Sequence, residues 1–127
     1  EMKFLWEGQK ILHHPALLAT ATCVRVPVFR SHAVSLNLEF EKRVTRETAL
    51  DVLHKAAGLQ VHDDPASEIY PTPLETSEQD DVFVGRVRQD ISVPDGRGLA
   101  LWVVGDQLAK GAALNAVQIG ELLLRGN

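Results

Sequence analysis

One cysteine in 127 residues excludes an internal disulfide framework. No apolar run approaches the roughly 20 residues of a membrane span. The strongest candidate, residues 11–28, is broken by His13, His14, Pro15, Arg25 and Pro27. Basic charge is short as well: 13 Lys and Arg stand against 17 Asp and Glu, a formal net charge of −4. That speaks against nucleic acid as the main partner, because phosphate binding needs a basic surface. A local basic pocket for a small anion remains open. There is no Gly-x-Gly-x-x-Gly or other phosphate-cradling loop, so no nucleotide fold begins here. The chain has no initiator Met and no signal peptide. It opens on acidic Glu1 and an amphipathic pattern, which reads as a cut within a longer chain, and the cytosol is the expected compartment.

What is present fits one soluble domain spanning 1–127. Apolar residues make up 45% of the sequence and charged residues 24%, enough for a real core. Met2, Leu5, Trp6, Ile11 and Leu12 are spaced for a helix over 2–12, ended by His13-His14-Pro15. Residues 20–29, rich in Val and Thr, read as a strand with Pro27 at an edge or bulge. Residues 33–41 alternate, with Val34, Leu36, Leu38 and Phe40 on one face, as a half-buried strand does. Thr45 is positioned to cap a helix over 46–57, with Leu50, Leu53 and Ala57 inward and Gly58 after its end.

A short strand at 59–62 leads into a long ordered loop over 63–80, centred on Ile69 and Tyr70. Strands at 82–89 and 98–104 flank the turn signal Pro94-Asp95-Gly96. A last helix runs from near Asp106 to Gly126, with Ala113, Ala116, Val117 and Leu124 inward. This order implies an α+β domain: a mostly antiparallel or mixed sheet with helices on one face.

Few residues suggest chemistry. Arg25 lies inside the apolar stretch Cys23–Val28. Strand alternation accounts for it as a residue on a wet face; a guanidinium there could also clamp a carboxylate through two parallel hydrogen bonds. His32 follows a break at Arg30-Ser31 and could move protons near neutral pH, although a His at a strand start is more often structural. His13, His14, His54 and His62 lack metal-ligand spacing; only His62 has carboxylates beside it, Asp63 and Asp64, where acids commonly begin a turn. Cys23 is read as a small hydrophobe in mid-strand, with no glycine-rich turn or helix N-terminus to activate its thiol. Asp106 suits an N-cap, with Gln107 in the turn it opens. Gly111, Asn115 and Gln118 share one helix face, able to meet a neighbouring domain.

Five stretches, in order and with consistent spacing, resemble the C-terminal half of bacterial aspartate-semialdehyde dehydrogenases. They are Ala21–Val28, His32 at its offset, Asp81–Arg88, Leu101–Val104 and Lys110–Ile119. The resemblance implies the fold of the C-terminal domain of glyceraldehyde-3-phosphate dehydrogenase-like enzymes. It implies NADPH-dependent conversion of L-aspartyl 4-phosphate to L-aspartate 4-semialdehyde with release of phosphate, in the synthesis of lysine, threonine, methionine and diaminopimelate. Carried over, Arg25 clamps the substrate α-carboxylate, His32 is the acid/base, Lys3 contacts phosphate and Gln107 touches NADP.

The family's nucleophilic cysteine and glycine-rich NADP-binding half lie outside this chain, and Cys23 is not that cysteine. A family glutamate three residues before Lys3 would fall ahead of Glu1. Ser31-His32-Ala33 departs from the commoner pattern around this His. The expected partners are the enzyme's own N-terminal NADP-binding domain and a second copy. That homodimer is expected to form through the apolar sheet faces of strands 82–88 and 98–104, and the isolated chain is expected to be inactive. Two other readings stand beside this one: a noncatalytic oligomerisation module descended from the enzyme, and a related acyl-phosphate reductase such as the N-acetylglutamyl-phosphate enzyme. The Arg25–His32 spacing and the final-helix motif favour the aspartyl enzyme.

Overall fold

The computed structural model describes residues 1–126. Four strands, β1 (His32–Glu39), β2 (Leu59–Val61), β3 (Val82–Gln89) and β4 (Gly98–Gly105), form one sheet in the order β1-β4-β3-β2. β4 pairs antiparallel with both β1 and β3, and β2 runs parallel to β3. The helices are α1 (Met2–Ile11), α2 (Arg46–Leu53), the single turn α3 (Pro73–Thr76) and α4 (Leu114–Arg125). The result is the expected α+β domain with a mixed sheet.

Strand alternation decides what each face of the sheet meets. Leu36 and Leu38 of β1 stand opposite Leu101 and Leu99 of β4. On this face Val84, Val87 and Leu101 form a buried centre, and Ala49, Leu50 and Leu53 of α2 pack over it with Leu59 and Val61. The helix starts where expected, because the Thr45 hydroxyl accepts from the Thr48 amide at 3.2 Å.

The opposite face is covered by the segment between β2 and β3. Trp102 donates through Nε1 to the Pro71 carbonyl at 3.0 Å. Gly85, paired with Trp102 in the ladder, lets that segment come close. A Cβ at Gly85 would lie 2.2 Å from the His62 carbonyl oxygen and 2.6 Å from Pro71 Cδ, so only glycine fits.

A bulge interrupts β3 between Gly85 and Arg88, with Arg86 in the left-handed region at φ 53°. It leaves two amides without ladder partners. Both donate to the Asp63 carboxylate, Arg86 N at 2.7 Å and Val87 N at 3.3 Å. Arg46 completes the arrangement from α2, with Nη2 2.8 Å from the same carboxylate and Nε donating to the Val87 carbonyl at 2.8 Å. The acids after β2 thus secure a bulge in another strand.

Several expectations are corrected. Residues 20–29 join no ladder. Their Val and Thr content favours a strand only where another strand offers a partner, and β-propensity reports that packing more than backbone preference. Here the chain folds sharply at Pro27, with the Val28 amide donating to the Val26 carbonyl at 2.8 Å, and Phe29 is fully exposed. Cys23 is therefore exposed and outside any strand.

The helix expected over 46–57 ends at Leu53. Lys55 and Ala56 donate to carbonyls only three residues back, Gly58 turns the chain at φ 72°, and Ala57 is exposed while Ala49 packs inward. The loop after β2 buries Pro71 and Thr76, and leaves Ile69 and Tyr70 exposed. Asp106 does cap a turn, but the regular helix begins only at Leu114, because Lys110, Gly111 and Ala112 leave helical geometry. Its expected inner face, including Val117 and Leu124, is exposed, and so is much of the apolar surface of α1. Strands β3 and β4 bury most of their apolar side chains within the chain, while Trp102 and Val103 stay half-buried.

Candidate functional site

The sheet brings two of the four candidate residues to a common end. His32 opens β1 and stands opposite Gly105, the last residue of β4. Gln107 follows two residues later, so the ladder brings the histidine and the glutamine to one end of the sheet. His32 is exposed, and Gln107 is half-buried. The Gln107 side-chain oxygen Oε1 is shielded from water and has no hydrogen-bond partner among the described residues.

Lys3 and Arg25 lie on two segments that touch near Glu1 and Cys23. Glu1 links them by accepting, through Oε1, from the Cys23 amide at 2.9 Å, which ties the start of α1 to the extended segment carrying Arg25. Lys3 lies in the first turn of α1, 3.5 Å from Glu7 in an exposed pair four residues apart. Such pairs are worth a few tenths of a kcal/mol, about 0.3–0.5, and leave Lys3 free to turn toward another anion. Arg25 is exposed and forms no salt bridge among the described residues.

The His32 end of the sheet rests on a buried carboxylate. Asp106 is fully buried. It accepts from the Glu78 amide at 2.7 Å and from the Leu108 amide at 2.9 Å. Arg30 Nε sits 2.6 Å from Asp106 Oδ2, a charge contact rather than an aligned hydrogen bond, and Arg30 Nη1 lies 3.3 Å from Glu78 Oε1. Burial works to raise the Asp106 carboxyl pKa, but the two amides and the Arg30 charge together outweigh it and hold it below the ordinary value.

The sequence marked Asp106 as a cap and Arg30 only as part of a break. Their meeting depends on β1 lying beside β4, which no local pattern records. Farther along, Gly111 N donates to Asn115 Oδ1 at 3.1 Å and Lys110 Nζ to Gln118 Oε1 at 2.6 Å. Asn115 and Gln118 thus brace the irregular turn before α4.

Two shallow grooves lie away from these residues. One, about 480 Å³, is bounded by Leu50, His54, Val61 and Ile69, and the other, about 290 Å³, by Tyr70, Pro73, Arg86 and Trp102. Neither contains a candidate residue. Among the described residues, no three of His, Cys, Asp and Glu gather as metal ligands would. Among the described residues, no helix is long and apolar enough to cross a membrane.

Known proteins align with this chain along nearly all of its length. The family model described as semialdehyde dehydrogenase, dimerisation domain, matches residues 1–110. The aspartate-semialdehyde dehydrogenase of Mycolicibacterium smegmatis is 51% identical over 123 residues, covering 97% of this chain and 34% of its own length. That of Prochlorococcus marinus is 48% identical over 124 residues, covering 98% and 36% respectively. The crystal structure of aspartate semialdehyde dehydrogenase II from Vibrio cholerae, solved complexed with ASA, superposes with a TM-score of 0.90 at 44% identity. It covers 98% of this chain and 36% of that one. The chain therefore spans about a third of the length of the relatives it matches. It belongs to the semialdehyde dehydrogenase family, whose dimerisation domain it carries.

Proposed function

We propose that this chain is the substrate-binding and dimerisation domain of a cytosolic aspartate-semialdehyde dehydrogenase, working with an NADP-binding domain that supplies the nucleophilic cysteine. The observation that carries the reading is the juxtaposition of His32 and Gln107 at one end of the sheet. The ASA held by the Vibrio cholerae relative supports the substrate class. In the reaction, a thiolate displaces phosphate from L-aspartyl 4-phosphate, the resulting thioester is reduced, and L-aspartate 4-semialdehyde leaves. NADPH supplies the hydride for that reduction.

Each residue has a role suited to its chemistry. Arg25, with no salt-bridge partner of its own, offers the planar fork that grips the α-carboxylate. Lys3 offers a mobile ammonium to the phosphate. His32 takes the proton from the attacking thiol and returns one as the carbonyl oxygen and sulfur change charge. The shielded, unpartnered Gln107 oxygen is an acceptor in need of a donor. Gln107 is the residue of this chain proposed to touch the cofactor; its oxygen is screened by the chain's own atoms, so the contact would run through the exposed part of the side chain.

Apolar side chains stand exposed on α1, at Phe29 and along α4. A second copy and the NADP-binding domain are the surfaces proposed to cover them. In the full-length protein, His32→Ala is expected to lower kcat by about 10²–10⁴-fold; an unchanged kcat overturns the acid/base role. The isolated chain is expected to dimerise and to be inactive. Semialdehyde-dependent NADPH production by the isolated chain would reject the division of labour, and a monomer mass in light scattering at every concentration would reject the dimer.

A further inference from the structure

Two residues immediately before His32 are fixed by contacts that the proposed reaction does not use. Ser31 is buried and holds a left-handed φ of 74°, a conformation costly for a residue with a side chain. Its hydroxyl lies 3.2 Å from that of Ser77 and 3.4 Å from that of Thr76. Those two hydroxyls are themselves anchored, Thr76 to the Thr72 carbonyl at 3.0 Å and Ser77 to the Pro73 carbonyl at 2.7 Å. Arg30, one residue earlier, reaches Asp106 and Glu78. Asp106 in turn holds the amides on either side of the His32–Gln107 end: Glu78 from the covering segment and Leu108 from the turn that carries Gln107.

Ordinary strand pairing already fixes His32 opposite Gly105. It does not fix the backbone on the other side of His32, which leaves the sheet and has no ladder partner. The buried carboxylate does that, because one group joins the approach to β1 and the exit from β4. A buried charge with this many partners is costly to leave unpaired, so the joint has few alternative geometries.

We infer that Asp106 and Arg30 are positioning residues that set the His32 imidazole relative to Gln107, with Ser31 as the strained link between them. The inference rests on the reading of His32 as the acid/base. A misplacement of about 1 Å at a reacting group can cost on the order of 10²-fold in rate. Neither Asp106 nor Arg30 is proposed to touch substrate.

The test uses the full-length protein and two variants, the near-isosteric Asp106→Asn and the charge-removing Arg30→Gln, each also combined with His32→Ala. Rates are taken per folded molecule, with the KM for aspartate semialdehyde measured alongside. The expected result is a fall in kcat of about 10- to 100-fold in each single variant, with KM changed less than about twofold. In the His32→Ala background the same substitutions should cost nothing further, because there is no imidazole left to place.

Unchanged kcat in both single variants, at a normal loss from His32→Ala, overturns this inference alone. So does a full multiplicative loss in the double variants, which is what a merely structural role produces. If His32→Ala itself leaves kcat unchanged, the acid/base reading fails and the positioning role falls with it.

Discussion

Arg46 and Asp63 meet at 2.8 Å beneath the bulge of β3, where the same carboxylate also receives the amides of Arg86 and Val87. A helix, the end of one strand and the irregular middle of another are joined at that one side chain. Asp63→Ala removes the acceptor and leaves two amides and the Nη2 arm of a half-buried guanidinium without partners. The expected loss is about 3 kcal/mol, read as a fall in the urea midpoint. A change within about 0.5 kcal/mol would show that water replaces the carboxylate without cost.

Gly85→Ala tests the close approach on the other face. The added methyl would sit inside the contact distance of the His62 carbonyl, which is backbone and cannot swing aside. A destabilisation of about 1–3 kcal/mol is expected from forced displacement of the covering segment. Thermal unfolding of the variant beside the parent checks it, and an unchanged midpoint would mean that this segment is not held against the sheet.

Thr45→Ala removes the hydroxyl that accepts from the Thr48 amide. A loss of about 1 kcal/mol is expected. Denaturant titration resolves this, and Thr45→Ser should recover most of it because the oxygen is retained.

Asp106 predicts the direction of acid sensitivity. Its folded-state pKa lies below its unfolded value. Its contribution to stability is therefore complete above the unfolded pKa, near 4, and disappears as pH falls through the lower folded value. Urea midpoints across the acid range should decline more steeply for the parent than for Asp106→Asn, which has no carboxyl to protonate. Parallel curves would mean that other carboxylates govern acid unfolding, among them Asp64 and Asp90, whose pKa values are also lowered, first by hydrogen bonds from Ser67 and Ser92.

Arg25→Lys addresses the carboxylate clamp in the full-length protein. Lysine keeps the charge and loses the planar fork, so KM should rise while kcat changes little. Steady-state kinetics with aspartate semialdehyde decides it; an unchanged KM removes Arg25 from the binding role.

Strands β1, β3 and β4 were legible because alternation and turn signals act locally: Leu36 and Leu38 inward, Pro94-Asp95-Gly96 between the last two strands. The Val and Thr of residues 20–29 carried the same local signal without a neighbouring strand to complete it. At the last helix, the Asp106 cap was real, but Gly111 at φ 109° separates it from the regular helix beginning at Leu114. Arg25, His32, Lys3 and Gln107 stood out through family likeness, since each alone has an ordinary structural explanation. Arg30 and Asp106 stayed hidden because their contact exists only once β1 and β4 are side by side. The same holds for Asp63, whose partners lie on α2 and β3.

The strand order also has a consequence for biosynthesis. β1 emerges from the ribosome long before β4, yet β4 is its sole neighbour in the sheet, pairing from His32–Gly105 through Glu39–Gly98. Its Leu36 and Leu38 must therefore wait, unpaired, while β2 and β3 are synthesised, and closing so long a loop slows folding. During that interval the nascent chain presents a sticky, half-apolar segment of the kind that chaperones retain. The first of these four strands to be made is thus among the last of them to be protected.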